Sequence, residues 1–229
     1  MPQTALNLLA LSIFSVTLMV LLGPVIQLPQ ALPAGLTFGL LALVTADRFA
    51  WQGRGLTLFL DWVAGWSSDH RERVLRHEAG HFLVAYLLGI PVTGYTLTAW
   101  EALRQQQPGY GGVQFDTTAL ETDSLHPTEA QQLLDHFCTV WMAGIAAEDW
   151  HYGRSEGGGD DRQKICAALS LAGRPPGEAR PKQQLAYRQA RSLLEQHRAA
   201  YEALVAALRD GLPVADCCQR LREVVSASG

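Results

Sequence analysis

The chain has 229 residues, 48% hydrophobic and 17% charged, which is one globular domain plus apolar sequence that such a domain does not need. A formal net charge of −4 excludes an electrostatic case for nucleic acid as a partner. The four cysteines, Cys138, Cys166, Cys217 and Cys218, form no CxxC pattern; this excludes a zinc ribbon and fits free thiols in a reducing compartment.

Residues 1 to 46 carry no charged side chain. Ala5 to Leu22 and Leu28 to Ala46 are two apolar runs, each about long enough to cross a bilayer core as a helix. The first run lacks the Lys or Arg that opens a signal peptide, and a second run follows it. The expectation is a transmembrane helical hairpin over residues 1–48. A hydrophobic hairpin buried in a soluble fold, and a single span with a re-entrant segment, are the alternatives. Arg48, Arg54, Arg71, Arg73 and Arg76 follow the second run, and the loop between the runs has no positive charge. The positive-inside tendency then puts everything beyond Arg48 on the cytoplasmic side, or the stromal side in a plastid. Residues 49–68 hold Trp51, Trp62 and Trp66 among leucines and read as an interfacial linker against membrane lipid, or as core packing for those rings.

From Asp69 to Leu88 the chain reads as one helix. Asp69 and Glu72 resemble a capping box, and Gly89 and Pro91 supply the stop. Its first half is charged and its second half apolar, so it runs from water into a core. At the junction stands His77-Glu78-Ala79-Gly80-His81. Two histidines four apart project from one helix face and can bind one Zn²⁺, with Glu78 beside the metal as a proton carrier for a hydrolytic water. Two core histidines with a chance Glu are the alternative.

Val92 to Ala99 and Gly111 to Asp116 have the β-branched and aromatic character of two strands, joined by a polar loop from Glu101 to Tyr110. Within the second strand, Gly112, Val113, Gln114 and Phe115 offer an edge to an extended peptide, or merely cover the core. Thr128 and Gln131 resemble a capping box that opens a helix to about His151, ending at Gly153. Ala143, Gly144, Ala146 and Ala147 give that helix a stretch fit for close packing. Gly157-Gly158-Gly159 turns the chain into Asp160-Asp161, which start another helix to about Ala172. After a break rich in Pro and Gly, Lys182 to Asp210 reads as one long amphipathic helix with Leu185, Leu193, Leu194, Tyr201, Leu204 and Leu208 on its apolar side. A short helix from about Pro213 to Val225 follows. The fold class is therefore mainly α: the N-terminal hairpin, then a helical domain over 69–229 with a small β-hairpin.

A catalytic zinc needs a third protein ligand, and Glu148, Asp149, His151, Asp160 and Asp161 are the candidates. The metzincin extension is absent, since Val84 and Leu87 stand where its Gly and third His belong. The chain resembles the peptidase domain of FtsH-type membrane-bound zinc proteases. The resemblance rests on four segments in the family's order: His77 to His81, Gly109-Tyr110 leading into Gly111 to Phe115, Ala143 to Asp149, and Gly157 to Asp161. It implies a zinc metalloendopeptidase with His77, His81 and Asp161 as ligands and Glu78 as the catalytic base. Glu148 is then the main rival ligand or the group that orients a histidine, and Asp160 caps the following helix with Gln163. Two departures stand out. Ile145 replaces the family's Arg, and the chain contains no GxxxxGK[ST] phosphate loop, its two lysines being Lys164 and Lys182. The expected substrates are unfolded proteins, peptides or membrane-protein segments, with a partner ATPase and self-association as open questions. Two other readings compete. His81 to Ala85 followed by Gly89 to Val92 resembles site-2-type intramembrane proteases, and a non-catalytic membrane scaffold could keep the same fold.

Overall fold

The computed structural model describes residues 3–23, 25, 27, 29, 31–50, 55, 68–104, 112–118 and 126–227. They fall into two compact units, 1–67 and 68–229.

In the first unit, α1 (Gln3–Leu22) and α2 (Ala31–Ala50) touch one another. Among the described residues one helix, α2, is long and apolar enough to cross a membrane; the apolar part of α1, Leu9–Leu22, is shorter. Large apolar side chains on both are exposed, among them Ile13, Phe14, Phe38 and Leu43. Of the expected interfacial linker, Trp51, Trp62 and Trp66 lie outside the described residues.

The second unit is mainly helical. Its central helix is α3 (Ser68–Leu87). The polar half of α3 makes ion pairs and its apolar half is buried from Leu75 to Ala85 except at Glu78. Glu72 does not reach back to cap the helix start as expected. Its carboxylate accepts from Arg76 Nε at 2.9 Å and from Arg209 Nη2 at 2.7 Å, two cations that outcompete a backbone amide. The helix stops at Gly89, whose φ of 72° lets the Ile90 amide reach back to the Ala85 carbonyl at 2.9 Å.

Strand β1 (Val92–Thr96) follows, then α4 (Ala99–Arg104) and β2 (Gly112–Phe115). The strands pair antiparallel, from Val92 opposite Phe115 to Thr96 opposite Gly112, with an irregularity between Val92 and Gly94. The expected polar loop from Glu101 is helical through Arg104, and 105–111 lie outside the described residues. The reason is a capping arrangement: Thr98 Oγ1 accepts from the Glu101 amide at 3.1 Å, and the Glu101 carboxylate accepts from the Leu97 amide at 2.8 Å.

Helix α5 (Pro127–Tyr152) begins two residues earlier than the sequence suggests. Its N-cap is His126, which exchanges the reciprocal bonds of a capping box with Glu129; Gln131 instead donates to Asp135 at 2.7 Å. Gly153, at φ 75°, ends it. The small-residue stretch of α5 packs on α3. A Cβ on Gly80 would stand 2.7 Å from the Ala143 carbonyl and 2.8 Å from Ala147 Cβ, so these two backbones meet without side chains between them.

Helix α6 (Gly159–Leu171) precedes α7 (Ala179–Gln196) and α8 (Arg198–Arg209). The expected single helix from Lys182 to Asp210 is thus broken at His197, whose backbone leaves the helical region at φ −109°, ψ 37°. The break lets α7 pack on α5 while α8 packs on α3, where the Tyr201 hydroxyl donates to the Arg76 carbonyl at 2.9 Å. Leu185, expected on the apolar side, is 44% exposed. Helix α9 (Val214–Ala227) closes the unit against α8 and β1. The main core joins Phe82, Leu83, Phe137, Leu194, Tyr201 and Leu208; a smaller cluster of Met142, Ile145, Ile165 and Leu169 lies between α5 and α6.

Candidate metal centre

The two histidines of α3 stand one turn apart on its buried side, with ring centroids 4.7 Å apart. Each ring is fixed through its Nδ1. His81 Nδ1 lies 2.7 Å from the Val140 carbonyl, which can only accept, so this nitrogen carries the proton. This turns the Nε2 of His81 toward Asp161. His77 Nδ1 lies 2.7 Å from Glu148 Oε1 and is oriented the same way. The two Nε2 atoms meet Asp161 Oδ2, at 3.2 Å from His77 and 3.5 Å from His81.

These three donors, His77, His81 and Asp161, lie within 4.8 Å of one another and could hold a metal ion. The donor chemistry fits: two imidazole nitrogens and one carboxylate oxygen form a three-ligand set, with both rings already oriented by outer partners. Glu148 has the place expected for a group that orients a histidine rather than that of a ligand.

Local sequence makes this convergence. Helix α6 has Gly158 as its N-cap, at φ 86° and with no side-chain cap, so Asp160 does not play the capping role expected of it. Asp160 is exposed in the first turn, whereas Asp161 is 5% exposed and faces the histidines. Gly158 is required twice, by its φ and because a Cβ there would overlap Ile145 at 2.1 Å. Ile145, in place of the Arg of the resembled family, thus packs under the turn as an apolar floor. On α5, Gly144 leaves room for the His77 ring, since a Cβ would fall 2.3 Å from Nε2. The second Asp161 oxygen accepts from Lys164 Nζ at 3.0 Å.

The Glu148 carboxylate is buried and fully engaged. It accepts from the Glu156 amide at 2.9 Å and from Arg73 Nη1 at 3.3 Å, besides His77. Arg73 also spans the Arg154 carbonyl at 3.1 Å and stacks on the Tyr152 ring. Arg73 stands four residues before His77, so it shares that helix face; this spacing is the sequence signal that could have found it.

Electrostatics follow from this set. For His77, burial is the largest influence and lowers the pKa, but the bonds to Asp161 and Glu148 and the charge of Glu78 outweigh it and push it up to about 10. Burial likewise raises Asp161 and Glu148, yet both end below the ordinary carboxylate range. The charge of His81 and the bonds to His77 and His81 do this for Asp161; His77, the Glu156 amide and Arg73 do it for Glu148.

Glu78 is half-buried beside β2. Its Oε2 accepts from the Val113 amide at 2.9 Å. The Gly112 amide donates to the Thr96 side-chain Oγ1 on β1 at 3.1 Å, whereas the Val113 amide is directed to Glu78 on α3. Gly112, at φ 110°, lies so near that a Cβ there would be 3.1 Å from Glu78 Oε2. The expected peptide-binding strand, Gly112 to Phe115, therefore borders the candidate centre through Glu78. Gly109, Tyr110 and Gly111 lie outside the described residues.

Neither a scan against protein-family models nor a search of curated proteins finds a match for this chain.

Proposed function

We propose that the chain is a membrane-anchored zinc metalloendopeptidase of FtsH-like type that cleaves unfolded or membrane-protein segments without a nucleotide site of its own in this sequence. The observation that carries this reading is the convergence of His77, His81 and Asp161 near a carboxylate, Glu78, that is bonded to the backbone of strand β2. A zinc ion in the three-donor set would supply Lewis acidity toward a water and a peptide carbonyl. In this reading, Glu78 takes the proton of the attacking water and delivers it to the leaving amine. Glu148 and the Val140 carbonyl hold the two imidazoles in place through the step. An extended peptide adds along Gly112 to Phe115, and its backbone competes with Glu78 for the Val113 amide.

The anchor belongs to the same proposal. We take α1 and α2 as a hairpin through the membrane, with the second unit on the cytoplasmic or stromal side, as the arginines after α2 suggest. Folded substrates would need a separate ATPase.

The test is the full chain in detergent, its metal content and its action on an unstructured protein such as casein. The expected result is about one zinc per chain and cleavage without ATP. Glu78→Gln should keep the zinc and lose cleavage. Full activity in Glu78→Gln would overturn the mechanism, and bound metal without cleavage in the unmutated chain would favour the scaffold.

A further inference from the structure

The arginines of the second unit do not all have the same kind of partner. Arg73, Arg76, Arg174, Arg191 and Arg209 each pair with a carboxylate. Arg162 and Arg180 have no ion-pair partner among the described residues, and Arg188 donates through Nε to the Gln184 carbonyl of its own helix at 3.3 Å. These three line one cleft between α5, α6 and α7, of about 490 Å³. Arg180 and Arg188 are eight residues apart on α7, two turns along one face, and Arg162 comes from α6. The floor is apolar, formed by Met142 and Ile145, which are 4% and 1% exposed. Among the described residues one acid, Asp149, lines the cleft, and its carboxylate accepts from the Tyr187 hydroxyl at 3.0 Å. Three guanidinium groups against one engaged carboxylate make the cleft cationic in a chain whose net charge is −4.

From this we infer that the cleft between α5, α6 and α7 binds a ligand carrying a phosphate group, held by Arg162, Arg180 and Arg188. Guanidinium groups match phosphate oxygens in forked pairs, and a phosphate presents oxygens in several directions to groups arriving from two helices. A carboxylate presents two oxygens in one plane and uses such an arrangement less fully. The volume lies in the range of small-ligand sites, roughly 300–1,000 Å³, and exceeds what a bare ion fills. The cleft thus has room for an organic body beside the phosphate, next to Tyr187. A soluble phosphorylated metabolite and a phospholipid headgroup share this chemistry. None of these cleft residues is a metal donor or the proposed base, so the inference stands apart from the peptidase reading.

The probe is inorganic pyrophosphate, titrated calorimetrically into the full chain held in a phosphate-free detergent such as dodecyl maltoside. Saturable binding at one site per chain is expected, weakened roughly tenfold or more in Arg180→Gln/Arg188→Gln. Arg220→Gln/Arg222→Gln removes the same charge from the exposed face of α9 and should bind as the unmutated chain does. No saturable binding, or equal weakening in both double variants, overturns the inference. Repeating the titration in nanodiscs containing phosphatidylglycerol separates the sources: retained binding assigns a soluble ligand, and binding lost only there assigns the lipid headgroup.

Discussion

His77 Nδ1 and Glu148 Oε1 stand 2.7 Å apart inside the second unit, joining α3 to α5 at the point where the candidate centre is built. The contact does two things. It turns the Nε2 of His77 toward Asp161, and it engages a buried carboxylate that Arg73 and the Glu156 amide also compensate. Glu148→Gln should therefore leave the fold and weaken metal binding by roughly 10–100-fold, the usual cost of losing an outer partner of a ligating histidine. Arg73→Met should act in the same direction by loosening Glu148. Competition with a chromogenic chelator measures both; unchanged affinity in Glu148→Gln would remove Glu148 from the centre.

Two glycines one helix apart should respond differently to the same added methyl. Gly→Ala within a helix normally gains up to about 1 kcal/mol. At Gly144 the new Cβ meets the ring of His77, 2.3 Å from Nε2, so the ring must leave its position. Gly144→Ala should melt close to the unmutated protein and hold little metal. At Gly80 the Cβ meets the Ala143 backbone at 2.7 Å, which cannot move aside without separating α3 from α5. Gly80→Ala should lose about 1–3 kcal/mol by overpacking. Thermal melts with metal analysis would separate the two; equal metal retention in Gly144→Ala would contradict the placement of His77.

The raised pKa of His77 makes metal binding depend on pH. In the metal-free chain His77 is protonated well past neutrality, up to about 10 against an ordinary 6.5, because Asp161 and Glu148 outweigh its burial. The sign follows from linkage: its stabilising contribution is complete below about pH 6.5 and is lost as pH rises toward 10. Asp161 and Glu148 act oppositely, stabilising above the ordinary carboxylate range and losing that contribution as pH falls. A metal ion must displace the proton on His77 Nε2, so binding at pH 7 should release about one proton, and affinity should rise with pH. Calorimetry in buffers of different ionisation heat counts the proton. Affinity that stays flat from pH 6 to 8 would refute this.

Much of the site was legible because its chemistry depends on short spacings. His77 and His81 are a helical i,i+4 pair, and the glycine turn before Asp161 marks a close backbone approach. What the sequence did not disclose depends on contacts between distant segments. The apolar stripe runs unbroken through His197, so periodicity alone joins α7 to α8; the turn exists because Leu194 and Leu204 serve helices that pack on different neighbours. The cap at His126 was hidden because Thr128 and Gln131 satisfy the same pattern two residues later. The Thr98 and Glu101 pair was readable, but the polar residues around it suggested a loop. The bond between Glu78 and the Val113 amide joins segments 35 residues apart and has no local signature.

The choice of Asp161 over Asp160 can be tested at one-residue resolution. Asp161 is 5% exposed, within reach of both Nε2 atoms, and its other oxygen is held by Lys164. Asp160 is exposed, and the helix it was expected to cap takes Gly158 as its N-cap instead. Neither metal nor cap therefore depends on Asp160. Asp161→Asn keeps the shape of the side chain but removes the charge that faces two imidazoles. It should lower metal affinity on the order of 100-fold or more, beyond the loss in Glu148→Gln, because a donor is lost rather than its support. The same substitution releases His77 from its strongest raising contact, so the proton count on metal binding should fall with it. Asp160→Asn should leave affinity and melting temperature unchanged within error. Loss of metal in Asp160→Asn with retention in Asp161→Asn would mean that α6 enters the site one residue out of register from the structure described above.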